Sequence, residues 1–144
     1  MVKKAKDISY YEAVGRRKQS VARVRLYLTK KSAEVLVGKL KIKPGEIFIN
    51  GKSVDETSFK IYKKMFLSLP LTLTKNENRF AVSIIVSGGG TTGQLDAMVH
   101  GISRALLIVD NDAYRPLLKA NGLLTRDPRK KETRKVGTGG KARR

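Results

Sequence analysis

Cysteine is absent from this 144-residue sequence, and histidine occurs once, at position 100. Without thiols the chain can form neither a disulfide nor a thiolate metal site, and this composition fits a reducing compartment. The sequence also lacks any run of about 18 apolar residues, so it offers no candidate membrane span. Its first residues, MVKKAKDISYY, lack the apolar central region that a secretory signal requires.

Acidic residues are scarce. Thirty-one Lys and Arg stand against 12 Asp and Glu, a formal net charge of +19. Such a surplus attracts polyanions, with nucleic acid as the leading partner class and an anionic membrane as the second. Residues 1–25 carry a net charge of +6, residues 76–114 carry −2, and residues 126–144 carry nine Lys or Arg against two acids. This division predicts a nearly neutral folded centre with basic ends.

No catalytic set is visible in the sequence. His100 lies inside a predicted helix, which is more typical of a structural residue than of a base or metal ligand. The acidic residues are dispersed or stand beside cations, so no paired general acid and base can be identified. Aromatic residues make up only 6% of the chain and most have core-like spacing, so we expect base stacking to contribute little.

Period-two alternation predicts strands over residues 9–14, 20–28 and 46–50. Residues 15–18, GRRK, are predicted to form the hairpin turn between the first two strands. Three consecutive cations there fit a solvated turn or contacts with RNA phosphates, and the net charge favours RNA. The Asn-Gly pair at 50–51 is a strong hairpin signal.

The middle of the chain is less regular. Residues 29–44 are Lys-rich and fit either a strand pair or a surface loop. A helix is predicted from Asp55 or Ser58 to Ser68, ended by Pro70 and followed by a short strand over residues 71–74. Its predicted core face consists of Phe59, Tyr62, Met65, Phe66 and Leu69. Residues 79–87, RFAVSIIVS, form the strongest strand pattern and are predicted to be central.

Two further helices are predicted. Apolar residues recur at intervals of three and four from Leu95 to Val109. A last helix begins near Asp112 or Pro116 and stops at residues 121–122, where glycine suits a left-handed cap.

Between the central strand and its helix, Gly88, Gly90 and Gly93 form G-x-G-x-x-G, with acids about twenty residues on, the spacing of a dinucleotide fingerprint. We reject that interpretation, because no strand pattern follows Asp110 and a charge of +19 has no use in a small-molecule dehydrogenase. The glycines, with Gly89, permit either a sharp turn or a phosphate seat on backbone N–H groups. The sequence leaves both open.

The final stretch, residues 123–144, reads LLTRDPRKKETRKVGTGGKARR. From Arg126 onward its only core-forming residue is Val136, and its glycines raise the entropic cost of order. We expect this tail to be disordered alone in water and to order on a polyanion, where each bound cation releases a counterion. The alternative is a solubility tail, but such charge runs are often interaction arms.

Several blocks occur in a characteristic order: GRRK at 15–18, ING at 49–51, GGG at 88–90, HGISRAL at 100–106, GLLTRDPR at 122–129 and KARR at 141–144. From about Tyr10 to Arg144 the chain resembles the family of the ninth protein of the small ribosomal subunit, in its bacterial or organellar form. Two departures are a longer stretch at 29–46 and Leu95-Asp96 where the family usually has small residues, which predicts altered helix packing.

The resemblance implies an α+β fold, in which a two-layer mixed sheet carries helices on one face, like the second domain of ribosomal protein S5, with a left-handed β-α-β crossover. We expect the chain to divide into a mobile basic start (1–7), a globular domain (8–122) and a long extended basic C-terminal tail (123–144). The resemblance implies no cofactor and no enzyme activity. The expected location is a cytoplasmic ribosome, with an organellar ribosome as the alternative.

The resemblance also implies partners: small-subunit rRNA in the subunit head, neighbouring ribosomal proteins, and peptidyl-site tRNA at the end of the tail. The expected rRNA contacts are Arg16, Arg17, Lys18, Arg23, Arg104, Thr125, Arg126, Arg129, Lys130, Lys131, Arg134 and Lys135. The expected tRNA-directed residues are Lys141, Arg143 and Arg144, and the expected phosphate-facing turn comprises Gly88, Gly89, Gly90 and Gly93. Two other hypotheses are a nucleotide-dependent enzyme using that turn and a general nucleic-acid chaperone.

Overall fold

The computed structural model describes residues 2–5, 8–29, 34–37, 40–57 and 61–131. Its strands are β1 (Val2–Ala5), β2 (Ile8–Arg17), β3 (Ser20–Leu28), β4 (Val35–Val37), β5 (Leu40–Ile42), β6 (Ile47–Ile49), β7 (Lys52–Ser53) and β8 (Phe80–Ser87). Its helices are a single 3₁₀ turn at Val54–Glu56, α1 (Ile61–Leu73), α2 (Thr91–Val109) and α3 (Asn111–Ala120). The part of the chain that the structure describes contains no helix long and apolar enough to cross a bilayer.

Six strands form one mixed sheet in the order β1-β2-β3-β8-β6-β7. The β6–β8 pair is parallel and the other pairs are antiparallel. The predicted central strand is confirmed, because β8 lies between β3 and β6. One sheet face packs against α2, where alternate β3 residues Ala22, Val24 and Leu26 are fully buried. The mixed α+β class is therefore confirmed.

The approach of α2 to β2 corrects the predicted turn at residues 15–18. Gly15 to Arg17 belong to β2, and the turn consists of Lys18, at a φ of 52°, and Gln19. A Cβ atom at Gly15 would overlap the backbone of Ala97 and Gly101. Glycine is therefore required at position 15 because strand β2 and helix α2 are in close contact there, and not because the chain turns. The local signal was misleading because the neighbour of Gly15 lies more than eighty residues along the chain.

The other sheet face is covered at one end by the β4–β5 hairpin. Ile42 is fully buried there against Tyr10, Tyr27 and Ala81. Of the two interpretations left open for residues 29–44, the strand pair is therefore correct for the described residues.

Helix α1 corrects a second prediction. It continues through Pro70 to Leu73, so residues 71–74 form no strand. Leu67, Pro70 and Leu71 are buried, whereas Met65 and Phe66 are 68% and 38% exposed. Proline removes one backbone hydrogen bond, and burial of its neighbours outweighs that loss. The side chains of the other predicted core aromatics, Phe59 and Tyr62, lie outside the described residues, as does the proposed cap Ser58.

The predictions for the last two helices are confirmed. Helix α2 has the predicted period, with Leu95, Met98, Ile102 and Leu106 buried. Helix α3 is capped by Asp110, whose carboxylate accepts from the Ala113 N–H, and Gly122 follows it at a φ of 70°. Within the predicted mobile start, Val2–Ala5 pairs with β2 as an edge strand. Its mobility in solution stays a prediction.

Candidate nucleic-acid interface

The glycine turn between β8 and α2 packs against the β2–β3 turn. Gly88 and Gly89 have φ values of 73° and 64°, which L side chains rarely adopt. A Cβ at Gly88 would lie 2.5 Å from the Gln19 carbonyl oxygen, and one at Gly89 would overlap the Ser20 hydroxyl. Ser20 Oγ in turn donates to the Gly88 carbonyl at 3.0 Å. A packing role is therefore established for these two glycines.

Gly90 differs from its neighbours. It is the N-cap of the nineteen-residue helix α2, makes no side-chain cap bond and is exposed. A Cβ there would meet no atom within 4 Å. The first backbone N–H groups of α2 have no acceptor within the helix, and Thr91 and Thr92 are exposed. This positive end of the helix dipole is a favourable position for an anion.

The fold brings lysines from two distant segments to this helix start. A cleft of about 560 Å³ is lined by the helix N-terminus, by Lys18 of the β2–β3 turn and by Lys130 and Lys131 of the tail. All three lysines are exposed. Positive charges from the turn, the helix and the tail therefore share one concave surface, as a phosphate-binding site requires.

Arg17 fastens the start of the tail to the body. Its Nη1 donates to the carbonyl oxygens of Asp127 (3.2 Å) and Arg129 (3.0 Å), and its Nη2 lies 3.0 Å from the Asp127 carboxylate. Its Nε lies 3.4 Å from the carboxylate of Asp96 on α2. The Arg17 side chain is only 14% exposed. We call this group of Arg17, Asp96, Asp127 and Arg129 the tail latch.

Asp127 is the anionic centre of the latch. Hydrogen bonds from the side chain and backbone N–H of Arg129 lower the pKa of the Asp127 carboxyl far below its ordinary value, with the positive charge of Arg17 adding to the effect. It therefore stays ionised at any physiological pH. Leu123 and Leu124, just before the latch, are half-buried against the main core. Contacts between tail and body thus extend to Arg129.

The other predicted RNA contacts are distributed over the surface. Arg16, Arg23 and Arg126 are exposed and make no ion pair with any residue that the structure describes. Arg104 is exposed too, but its guanidinium donates to the Val14 carbonyl on β2. Thr125 is exposed at the start of the tail. The remaining tail candidates, Arg134, Lys135, Lys141, Arg143 and Arg144, lie outside the described residues.

His100 faces the tail root from α2. Burial lowers its pKa, the charges of Arg104 and Arg126 lower it further, and a hydrogen bond with the Leu124 backbone opposes them. Its Nδ1 is buried without a hydrogen-bond partner among the described residues. The predicted structural role fits this setting, because a neutral ring is favoured beside two arginines.

Sequence patterns alone did not reveal two charged interactions. The first involves Asp96, which in the sequence is only a departure from small residues and in the structure is a partner of Arg17. The second involves Arg25, whose Nε lies 2.8 Å from the Glu12 carboxylate and whose guanidinium lies over the Tyr10 ring. The cross-strand register Glu12–Arg25 is the signal that could have indicated this pair.

Comparison with known proteins identifies the family. A model described as ribosomal protein S9/S16 matches residues 15–144. The chain belongs to this family. The small ribosomal subunit protein uS9 of Maridesulfovibrio salexigens is 41% identical over 136 residues, which cover 94% of this chain and 92% of that protein. The uS9 protein of Desulfovibrio desulfuricans is 43% identical over 123 residues, covering 85% and 83%.

Membership in the ribosomal protein S9/S16 family decides between the functional hypotheses. The chain is a ribosomal protein and not an enzyme. The dinucleotide fingerprint is therefore a coincidence of spacing, and the packing of Gly88 and Gly89 on Gln19 and Ser20 supplies its structural cause. Of the hypotheses drawn from the sequence, the ribosomal one is confirmed at the level of the family.

Proposed function

We propose that this protein is a structural constituent of the small ribosomal subunit, that it binds rRNA in the subunit head, and that it supports translation. The single observation that carries the rRNA contact is the cleft at the start of α2. There Lys18, the free helix N-terminus and the tail residues Lys130 and Lys131 meet. Family membership supports the location, since both relatives named above are small-subunit proteins.

In this proposal the cleft receives a short stretch of rRNA backbone, with one phosphate near each of its three lysines. The backbone N–H groups after Gly90 donate to the phosphate oxygens. The lysines supply positive charge on flexible side chains, so they can bind phosphates in more than one position. Arg16, Arg23, Arg104 and Arg126 add contacts around the body. Such contacts position the protein on RNA by shape and charge, and not by reading bases.

The tail is the second part of the proposal. The latch holds its root at Asp127 and Arg129, so the chain leaves the body from a defined point. Beyond it, Arg134 and Lys135 would continue along rRNA, while Lys141, Arg143 and Arg144 would be directed toward peptidyl-site tRNA. We also propose that the connection between the parallel strands β6 and β8, which contains α1, is the left-handed β-α-β crossover that the resemblance implies. We propose a cytoplasmic ribosome, with an organellar one as the alternative.

Two triple variants test the cleft. The cleft variant replaces by Gln the three cleft lysines, Lys18, Lys130 and Lys131. The control variant replaces by Gln three exposed lysines that do not line the cleft, Lys41, Lys43 and Lys75. Binding to small-subunit rRNA is measured by filter retention between 50 and 300 mM salt. Log K falls as log salt rises, and we expect this slope to become less steep by about three in the cleft variant, at roughly one per phosphate contact. In the control variant the slope should change by less than one.

Two outcomes would count against the proposal. Equal losses in both variants would mean that overall charge, and not the cleft, governs binding. If the unmodified protein also failed to co-sediment with small subunits in a sucrose gradient, the ribosomal location itself would be wrong.

A further inference from the structure

A second cleft, of about 300 Å³, lies where α1, α2 and the tail root meet, and nothing above assigns it a ligand. Its lining includes Phe66, His100 and Leu123, together with the exposed residues Arg16 and Arg126, which we call the rim arginines. We propose that this cleft receives one unpaired nucleotide of RNA, with the base against Phe66 and the phosphate at the rim arginines. The inference rests on the proposed function and specifies how RNA is recognised at one point.

The exposure of Phe66 is the first observation. Helix α1 buries Leu67 and Leu71 completely or nearly so, whereas Phe66 remains 38% exposed and lines the cleft. Helical spacing predicted this ring to be part of the core. An aromatic ring open to solvent beside cations is the combination that single-stranded RNA sites use, because each base has a face that can stack.

The charge of the rim is the second observation. The cleft lining contains four arginines and two aspartates, a net charge of +2. Arg17 and Arg129 are already engaged with Asp127 in the tail latch. Arg16 and Arg126 are exposed and form no ion pair within the described residues, so their charges are available to a phosphate.

The size of the cleft favours a single nucleotide. Its volume lies at the lower end of the range of small-ligand pockets, about 300–1,000 Å³. A duplex keeps its bases stacked inside and cannot present a face to Phe66, whereas an unpaired base can. The cleft is thus distinct in specificity from the lysine cleft at the start of α2, which requires only a phosphate.

The test compares a single-stranded RNA of ten nucleotides with a hairpin duplex of the same composition, both at 0.15 M salt. Phe66→Leu keeps an apolar side chain but removes the ring, Phe66→Tyr keeps the ring, and Met65→Ala alters the exposed neighbour. We expect Phe66→Leu to weaken single-strand binding about 5- to 160-fold, the equivalent of the 1–3 kcal/mol that stacking of one base contributes. Its duplex binding should be unchanged, and the other two variants should bind both RNAs like the unmodified protein.

A second measurement detects stacking directly. With 2-aminopurine in the single strand, binding should change its fluorescence in the unmodified protein and in Phe66→Tyr, because the base leaves its neighbours and stacks on the ring, and this change should be lost in Phe66→Leu. Arg16→Gln should weaken binding of both RNAs, since a rim arginine contacts phosphate in either.

The outcomes separate this inference from the proposed function. If the unmodified protein binds both RNAs with a steep salt dependence and Phe66→Leu changes neither affinity, the nucleotide cleft is wrong and the proposed function stands. If the unmodified protein binds neither RNA, both are wrong. A loss for single strand and duplex alike in Phe66→Leu, with altered circular dichroism, would show that Phe66 serves the fold and would overturn the cleft.

Discussion

Arg17 makes contacts that its neighbours in sequence do not indicate. Its place in a run of three cations predicted an RNA contact. In the structure its guanidinium is occupied by Asp96, by Asp127 and by two tail carbonyls, and it is mostly buried. An rRNA contact by Arg17 stays a prediction. Its observed interactions make it the residue that positions the tail, whereas its neighbour Arg16 remains open to a ligand.

The first residue-scale prediction concerns the latch. Arg17→Gln removes an ion pair and charge-assisted hydrogen bonds, which are worth about 1.5–3 kcal/mol each in favourable cases. We expect the bond after Arg126 to be cleaved by trypsin about tenfold faster, because local opening of the tail root becomes more frequent. Mass spectrometry of the fragments measures the rate. Arg16→Gln is the matched control, and equal acceleration in both variants would contradict the latch.

His100 gives a prediction about pH. Its pKa is lowered in the folded protein, chiefly by burial and then by Arg104 and Arg126. The unfolded chain, in which the His100 pKa is about 6.5, therefore binds a proton more readily than the folded protein does. As the pH falls below that value, the free energy of unfolding decreases. We expect the melting temperature to drop between pH 7.5 and 5.5, and to drop less in His100→Gln. Parallel curves for both proteins would show that His100 does not contribute.

At the scale of elements, the contact between β2 and α2 organises the fold. Gly15 on the strand faces Gly101 on the helix, and a Cβ at Gly101 would lie 2.7 Å from the Val24 side chain. The two backbones therefore approach more closely than side chains would allow. The same helix carries Asp96 of the latch and begins at the lysine cleft, so its distance from the sheet affects both sites.

Gly15→Ala should therefore destabilise the whole domain. The added methyl group meets backbone atoms of α2, which cannot move aside as a flexible side chain can. We expect a loss of about 1–3 kcal/mol or more in the free energy of unfolding, measured by urea denaturation. Gly90→Ala, whose Cβ would find nothing within 4 Å, should cost less than about 1 kcal/mol. Similar losses at both positions would contradict the close-packing argument.

At the scale of the whole molecule, a compact body with its own core carries basic segments at its ends. The main core combines the sheet with α1, α2 and α3, and residues of the tail root only join its edge. The residues after the latch carry most of the remaining tail charge. Folding and RNA binding should therefore be separable by truncation.

Two truncations test that separation. A chain ending at Lys131 keeps the latch, and a chain ending at Thr125 loses it. We expect both to retain the circular dichroism of the full chain, with a slightly lower melting temperature for the shorter one. The salt dependence of rRNA binding should weaken by about one unit of slope for each lost phosphate contact. Loss of most secondary structure on ending at Lys131 would refute the division into body and tail.

Features determined by neighbouring residues were predictable from the sequence alone. The Asn-Gly turn at Asn50, the buried period of α2, the continuous apolar strand β8 and the uneven charge each depend on residues close together in the chain. A local pattern suffices there because the physical cause, a turn conformation or an amphipathic face, is itself local.

The tertiary structure alone decided the rest, because the causes lie far apart in sequence. Pro70 stays within a helix since Leu67 and Leu71 are buried by other elements, and Gly15 belongs to a strand because α2 passes over it. The guanidinium of Arg17 is occupied because Asp96 and Asp127, which lie about eighty or more residues away in sequence, are brought beside it. The distribution of charge along the sequence thus determined that this protein is basic at its ends, whereas tertiary packing determined which of those charges lie close together.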